Sequence, residues 1–185
     1  MKKLNFFYFS LALALLSFAG VSKLVSTKTH IRFFSTTPVE NIEAHNYKAI
    51  STIDTQTGEV VFSVPMQSFE FQKSLMQKHF NQPDFLDTKK YPKAKMVGKI
   101  TNLSEIDFKK NGTYTALVSG TMTIKDVSKP IEEKGTIVVN GDKIEVQTKF
   151  NLSLADYGIT FKKGKPATNI AKTVEVSVEA SYQTK

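Results

Sequence analysis

The chain has 185 residues, 41% of them apolar, and carries a formal charge of +8, which fits one domain preceded by a short targeting segment. It contains no cysteine, so disulfides, thiolate metal sites, cysteine nucleophiles and an acylated-cysteine anchor are excluded. Arg32 is the single arginine, which leaves bidentate recognition of phosphate or bases poorly supplied, and no nucleic-acid partner is expected.

The first 22 residues read as a secretory signal. A basic start, Met1-Lys2-Lys3, leads into an apolar run that ends in small residues around Ser17, Ala19 and Gly20. As a helix, Phe6 to Phe18 would span about 20 Å, short of the roughly 30 Å hydrocarbon core of a bilayer. Cleavage near Ala19–Ser22 would send the product to the periplasm or the medium. Loss of Lys2 and Lys3 from the 25 basic residues leaves 23 against 17 acidic ones, or +6. That charge is scattered as single lysines and lysine pairs. It reads as solubility with a transient attraction to anionic membrane surfaces. Self-association is left open.

Ser22 to His30 is polar and reads as a linker, so the folded domain is placed at 30–185. Period-two alternation and β-branched content then predict strands at 31–36, 47–55, 59–65, 94–101, 113–125, 132–140, 143–152 and 172–183. Turn signals separate them at Thr57-Gly58, Asn111-Gly112 and Asn140-Gly141-Asp142. In the fifth strand Tyr114, Ala116, Val118, Gly120, Met122 and Ile124 share a face. Ile144, Val146, Thr148, Phe150 and Leu152 do so in the seventh, and Val174, Val176, Val178, Ala180 and Tyr182 in the eighth. One dry and one wet face per strand is the signature of antiparallel sheet. A sandwich or a closed barrel both satisfy it. Small residues on the dry faces (Ala94, Gly98, Ala116, Gly120, Ala180) either leave a hollow or merely let the sheets pack closely.

Gln67 to Asn81 is the one good helix candidate, with Ser74 able to cap and Leu75, Met76, His79 and Phe80 on one side. Pro83, Asp84-Phe85-Leu86-Asp87 and Tyr91-Pro92 follow. His79 with Asp84 or Asp87 has the residue types of an acid–base pair. Yet the chain carries no nucleophile elbow, glycine-rich phosphate loop or paired-histidine motif. Asp84 and Asp87 also suit local turn chemistry. His30, His45 and His79 lack metal-ligand spacing, so neither catalytic nor metal-binding residues are assigned.

The order of these features resembles the YceI-like, polyisoprenoid-binding family. IDTQTGEVVFSVPMQSFEF (53–71) is similar to the second hairpin of that family. LMQKHFNQPDFLDTKKYPKAKMVGKIT (75–101) resembles its most recognisable block, GTYTALVSGTMTIKDVSKPI (112–131) its long strand and turn, and LADYGIT (154–160) a late Asp-aromatic-Gly-Ile motif. Residues 160–172 depart from the pattern. The resemblance implies an all-β fold: an eight-stranded antiparallel, lipocalin-like barrel capped at one end by a short helix and loop. It further implies a non-catalytic, exported binder of a polyisoprenoid, a quinone-type lipid or another amphiphile, with no other cofactor. A small envelope enzyme, or a stress-related interaction module with a filled barrel, is the alternative.

On this reading the ligand contacts are Phe62, Leu75, Met76, His79, Phe80, Phe85, Met96, Val118, Gly120, Met122, Phe150 and Tyr157. His79 either stands at the tunnel mouth or is tucked under the helix on backbone hydrogen bonds. Lys89, Lys90, Lys93, Lys162, Lys163 and Lys165 are either head-group contacts or an ordinary solvated rim.

Overall fold

The alternating segments form ten strands in a computed structural model that describes residues 22–37, 40–160 and 171–184. They are β1 (Lys23–Thr36), β2 (Asn41–Asn46), β3 (Ile50–Asp54), β4 (Glu59–Pro65), β5 (Phe69–Phe71), β6 (Lys93–Ile100), β7 (Gly112–Ile124), β8 (Val127–Asn140), β9 (Lys143–Ser153) and β10 (Thr173–Gln183). Among the described residues there is one α-helix, α1 (Ser74–Asn81). The predicted signal segment lies outside the described residues, apart from Ser22.

Neighbours in sequence pair antiparallel around the wall, and β10 returns to β1 to close it. β2 and β3 lie end to end along β1 in a single register, with Ile31 opposite Asn46 and Leu24 opposite Ile53. β4 and β5 likewise follow one another, separated by a 3-10 turn at Met66–Ser68. With each such pair counted as one wall strand, the barrel has eight, as predicted. Closure removes the exposed edges that an open sheet of this size would present.

Four expectations are corrected. The supposed linker is the first half of β1, where Leu24 and Thr29 are buried. A bulge between Ser26 and Lys28 shifts the inward phase from even to odd positions, so a strict period of two could not find the strand. The helix begins at Ser74 rather than Gln67, because Met66–Ser68 is a 3-10 turn and Phe69–Phe71 pairs with β2. Ser74 is the first helical residue, not the cap; Lys73 holds that place. Finally, β8 starts at Val127 instead of 132. Lys125 and Asp126 make the preceding two-residue turn, both with positive φ (53° and 60°), without the glycine that normally signals it.

The two ends of the barrel differ. At one, Leu24, Ile53, Ile100, Val139, Ile144 and Tyr182 interdigitate, and the Tyr182 hydroxyl shares a 2.6 Å hydrogen bond with Ser51 Oγ. At the other, α1 and the loop after it cover the opening. Phe80 is buried against Phe33, Phe69 and Phe71, with ring centroids 5.8, 5.5 and 5.0 Å away. The following loop is locked by Thr88 Oγ1 donating to Asn81 Oδ1 and by Lys125 Nζ donating to the Phe85 carbonyl.

Candidate functional site: an apolar cavity under the helix

Between the packed end and α1 the inward faces do not meet. They enclose a cavity of about 530 Å³, floored by Ile53, Ile100 and Ile137, walled by Phe62, Met96, Val118, Met122 and Phe150, and roofed by Met76, His79, Phe80, Phe85 and Leu86. All four methionines within the described residues, Met66, Met76, Met96 and Met122, line it. Methionine is flexible and polarisable, and suits a wall that must adapt to its contents. At the rim Leu75 is 61% exposed, and Lys73 is ion-paired with Glu40.

Ten of the twelve predicted contacts line this space: Phe62, Leu75, Met76, His79, Phe80, Phe85, Met96, Val118, Met122 and Phe150. Two do not. Tyr157 is buried in the 3-10 turn Ala155–Tyr157, where burial and then the neighbouring Asp156 push its phenol up from the usual tyrosine range. Gly120 faces Gly98 across the β6–β7 pair, and the two backbones approach so closely that a Cβ at 120 would stand 2.4 Å from the Val97 carbonyl oxygen. The glycine pair is a device for close strand approach, not for ligand contact.

Lys89, Lys90 and Lys93 are exposed and do not line the cavity, whereas Lys73 and Lys95 touch it. Lys162, Lys163 and Lys165 lie outside the described residues. His79 is half-buried on α1 and faces the cavity; among the described residues no hydrogen bond joins it to Asp84 or Asp87. Asp87 instead bends the loop in the left-handed region at φ 47° and accepts from the backbone N–H groups of Lys90 and Tyr91 through its carbonyl.

Among the described residues the wall is split between β8 and β9. β8 pairs with β7 from Val127 to Val139, but its ladder with β9 begins only at Gly135 opposite Thr148. From Lys149 onward β9 pairs only with β10. Pro130, which has no N–H to give, falls in the one-sided stretch of β8, where a strand tolerates proline. Ile131 and Glu133 form one lip of this fork and Phe150, Leu152 and Leu154 the other, all of them lining the cavity. Glu133 was not singled out in the sequence. The available signal was its place in the inward phase of β8, shared with Ile131, Ile137 and Val139.

Outside the barrel a polar cluster joins β1, β2 and β10. Arg32 Nε donates to Glu43 Oε1 at 2.6 Å, which holds the Glu43 carboxyl below the usual carboxylate range and raises the guanidinium. His45 Nε2 lies 3.0 Å from the same oxygen, and His45 Nδ1 and His30 Nε2 share a 2.9 Å hydrogen bond. Sequence spacing hides this cluster, because only cross-strand register assembles it. Among the described residues no group of three or more His, Asp and Glu is arranged to hold a metal ion.

Comparison with known proteins agrees with this architecture. A UPF0312 protein of Pseudomonas putida (strain W619) is 35% identical over 112 residues, covering 57% of this chain and 53% of that protein. The chain thus spans about half the length of the curated relatives it matches. A polyisoprenoid binding domain from Saccharophagus degradans superposes with a TM-score of 0.71 at 16% identity, over 88% of this chain and 98% of that one. Burkholderia cenocepacia BcnA gives a TM-score of 0.67 at 17% identity, over 83% and 95%. These two likenesses concern the fold. The YceI-like domain description matches residues 16–182, nearly the whole sequence, and the chain belongs to that family.

Proposed function

We propose that this protein holds one long apolar chain of isoprenoid type inside the barrel, as an exported carrier or store that does no chemistry on it. The observation that carries this reading is the cavity of about 530 Å³, walled almost entirely by hydrocarbon and thioether side chains. Its size is in the range of cavities that take small ligands, roughly 300–1,000 Å³. Each buried methylene contributes about 0.8 kcal/mol. Ten carbons would give about 8 kcal/mol before ordering costs, on the order of micromolar affinity. The binding function of the Saccharophagus domain of the same fold points the same way. Export rests on the basic-apolar-small pattern of the first 22 residues. The exposed Leu75 beside Lys73 and Lys78 supports brief contact with a membrane surface during exchange.

The test is twofold. Protein purified without denaturation is extracted with organic solvent and the extract identified by mass spectrometry. Refolded protein is then offered a prenyl quinone and weighed in its native state. Co-purifying hydrocarbon and one-to-one uptake are expected. A clean extract together with no uptake would reject the reading.

A further inference from the structure

Inside this apolar cavity stands one carboxyl group whose position the tail-binding reading does not explain. The inward positions of β8 run Ile131, Glu133, Gly135, Ile137 and Val139, so Glu133 interrupts a hydrocarbon face halfway along the strand. It sits opposite Val118 on β7, and it lies just beyond the last rung of the β8–β9 ladder, at the base of the fork. Phe150, on the other lip, lines the same space.

Among the described residues Glu133 has neither a hydrogen bond nor an ion pair, and burial alone acts on its carboxyl, pushing it up from the usual range. The other charged or titratable side chains that touch the cavity are Glu40, Lys73, Lys95, Lys134 and His79. Lys73 is paired with Glu40, Lys95 and Lys134 occupy the exposed, outward phase of their strands, and His79 is on α1. A half-buried carboxyl with no protein partner costs stability. Its natural partner is a group that arrives with the ligand. The fork beside it is where a head group would sit while the tail fills the space lined by Phe62, Met96 and Met122.

We infer that Glu133 is the head-group residue of the cavity, and that it selects amphiphiles whose head donates a hydrogen bond, such as a long-chain alcohol, over phosphate esters of the same chain. This rests on the tail-binding reading above and adds its polar end. A carboxylate accepts from a hydroxyl, and such charge-assisted bonds are strong. The same carboxylate repels a phosphate, and its partial burial leaves that repulsion only partly screened.

The experiment compares geranylgeraniol with geranylgeranyl phosphate, each displacing the neutral fluorescent probe N-phenyl-1-naphthylamine from the full-length protein. Wild type is expected to bind the alcohol at least about tenfold more tightly than the phosphate, the size of one charge-assisted hydrogen bond. Glu133→Gln should bring the two affinities together, chiefly by tightening the phosphate, and Glu133→Lys should reverse the order. Circular dichroism and a melting curve establish that each variant is folded, and either variant alone decides the matter. In a folded variant, an alcohol-to-phosphate ratio unchanged from wild type overturns the role of Glu133 and leaves tail binding standing. Failure of the probe and of both lipids to bind wild type would overturn the tail-binding reading, and this inference with it.

Discussion

Met122→Trp places bulk where the account needs emptiness. Met122 points into the cavity from β7, opposite Met96 on β6, and is only half-buried, so the added ring has space to enter. Tryptophan brings about six more side-chain heavy atoms than methionine. At about 0.8 kcal/mol for each methylene displaced, a tail that fills the wild-type cavity should lose about 5 kcal/mol, more than a thousandfold in Kd. A chain-length series makes the test sharper. With about 30 Å³ for each water-sized site, 530 Å³ accommodates roughly eighteen such sites. Wild-type affinity should therefore rise through prenyl alcohols of ten and fifteen carbons and level off near twenty. In Met122→Trp the rise should stop about one isoprene unit sooner. Displacement of N-phenyl-1-naphthylamine measures both curves. Superimposable curves would show that the tail does not occupy this space.

Three further outcomes follow from the packing and the buried phenol. Gly120→Val should lower stability in urea by about 2–3 kcal/mol, as overpacking against fixed backbone does, because a Cβ there meets Val97 O at 2.4 Å and Gly98 Cα at 2.5 Å; wild-type stability would refute the close approach. Phe80→Ala should cost about 3–5 kcal/mol and speed ligand release, since it empties the aromatic cluster under α1; an unaltered dissociation rate would mean α1 is not the lid. Burial pushes the Tyr182 phenol up to about 12 from the ordinary tyrosine value of 10.0. Because the folded state holds this proton more tightly, its contribution is complete below pH 10 and is lost as pH rises from 10 to about 12. At 1.36 kcal/mol per unit the stability of wild type relative to Tyr182→Phe should fall by about 3 kcal/mol across that window. A constant difference between the two proteins would contradict the buried-phenol assignment.

What could be seen in the sequence follows from where the physics is periodic. β7, β9 and β10 keep one phase over eleven to thirteen residues, and their dry faces were legible residue by residue. β1 was half missed because its bulge changes phase. β2 was missed because the residue at its buried end is Asn46, fully buried and satisfied by donating to the Pro65 carbonyl, so the apolar pattern breaks where the chain is most enclosed. β5 is three residues long, too short for the alternation of Phe69, Glu70 and Phe71 to stand out from the run before the helix. The cavity wall was legible wherever an inward residue is large and apolar. Gly120 shared that phase, but whether a glycine opens a space or lets two strands touch depends on its cross-strand partner, Gly98, which no single strand reveals. Glu133 escaped for the opposite reason. Within Glu132-Glu133-Lys134 each charge reads as solvated until the inward phase of β8 is known.

On the proposed function the barrel is hollow and its hollow is where the tail goes. The methionines report on this directly, because Met66, Met76, Met96 and Met122 all line the cavity. With methyl-13C methionine in the protein and an unlabelled prenyl alcohol of twenty carbons, the account predicts slow-exchange shifts of these four methyl signals and cross-relaxation to the lipid chain, complete at one equivalent. Methyl signals left unmoved at saturating lipid would contradict it.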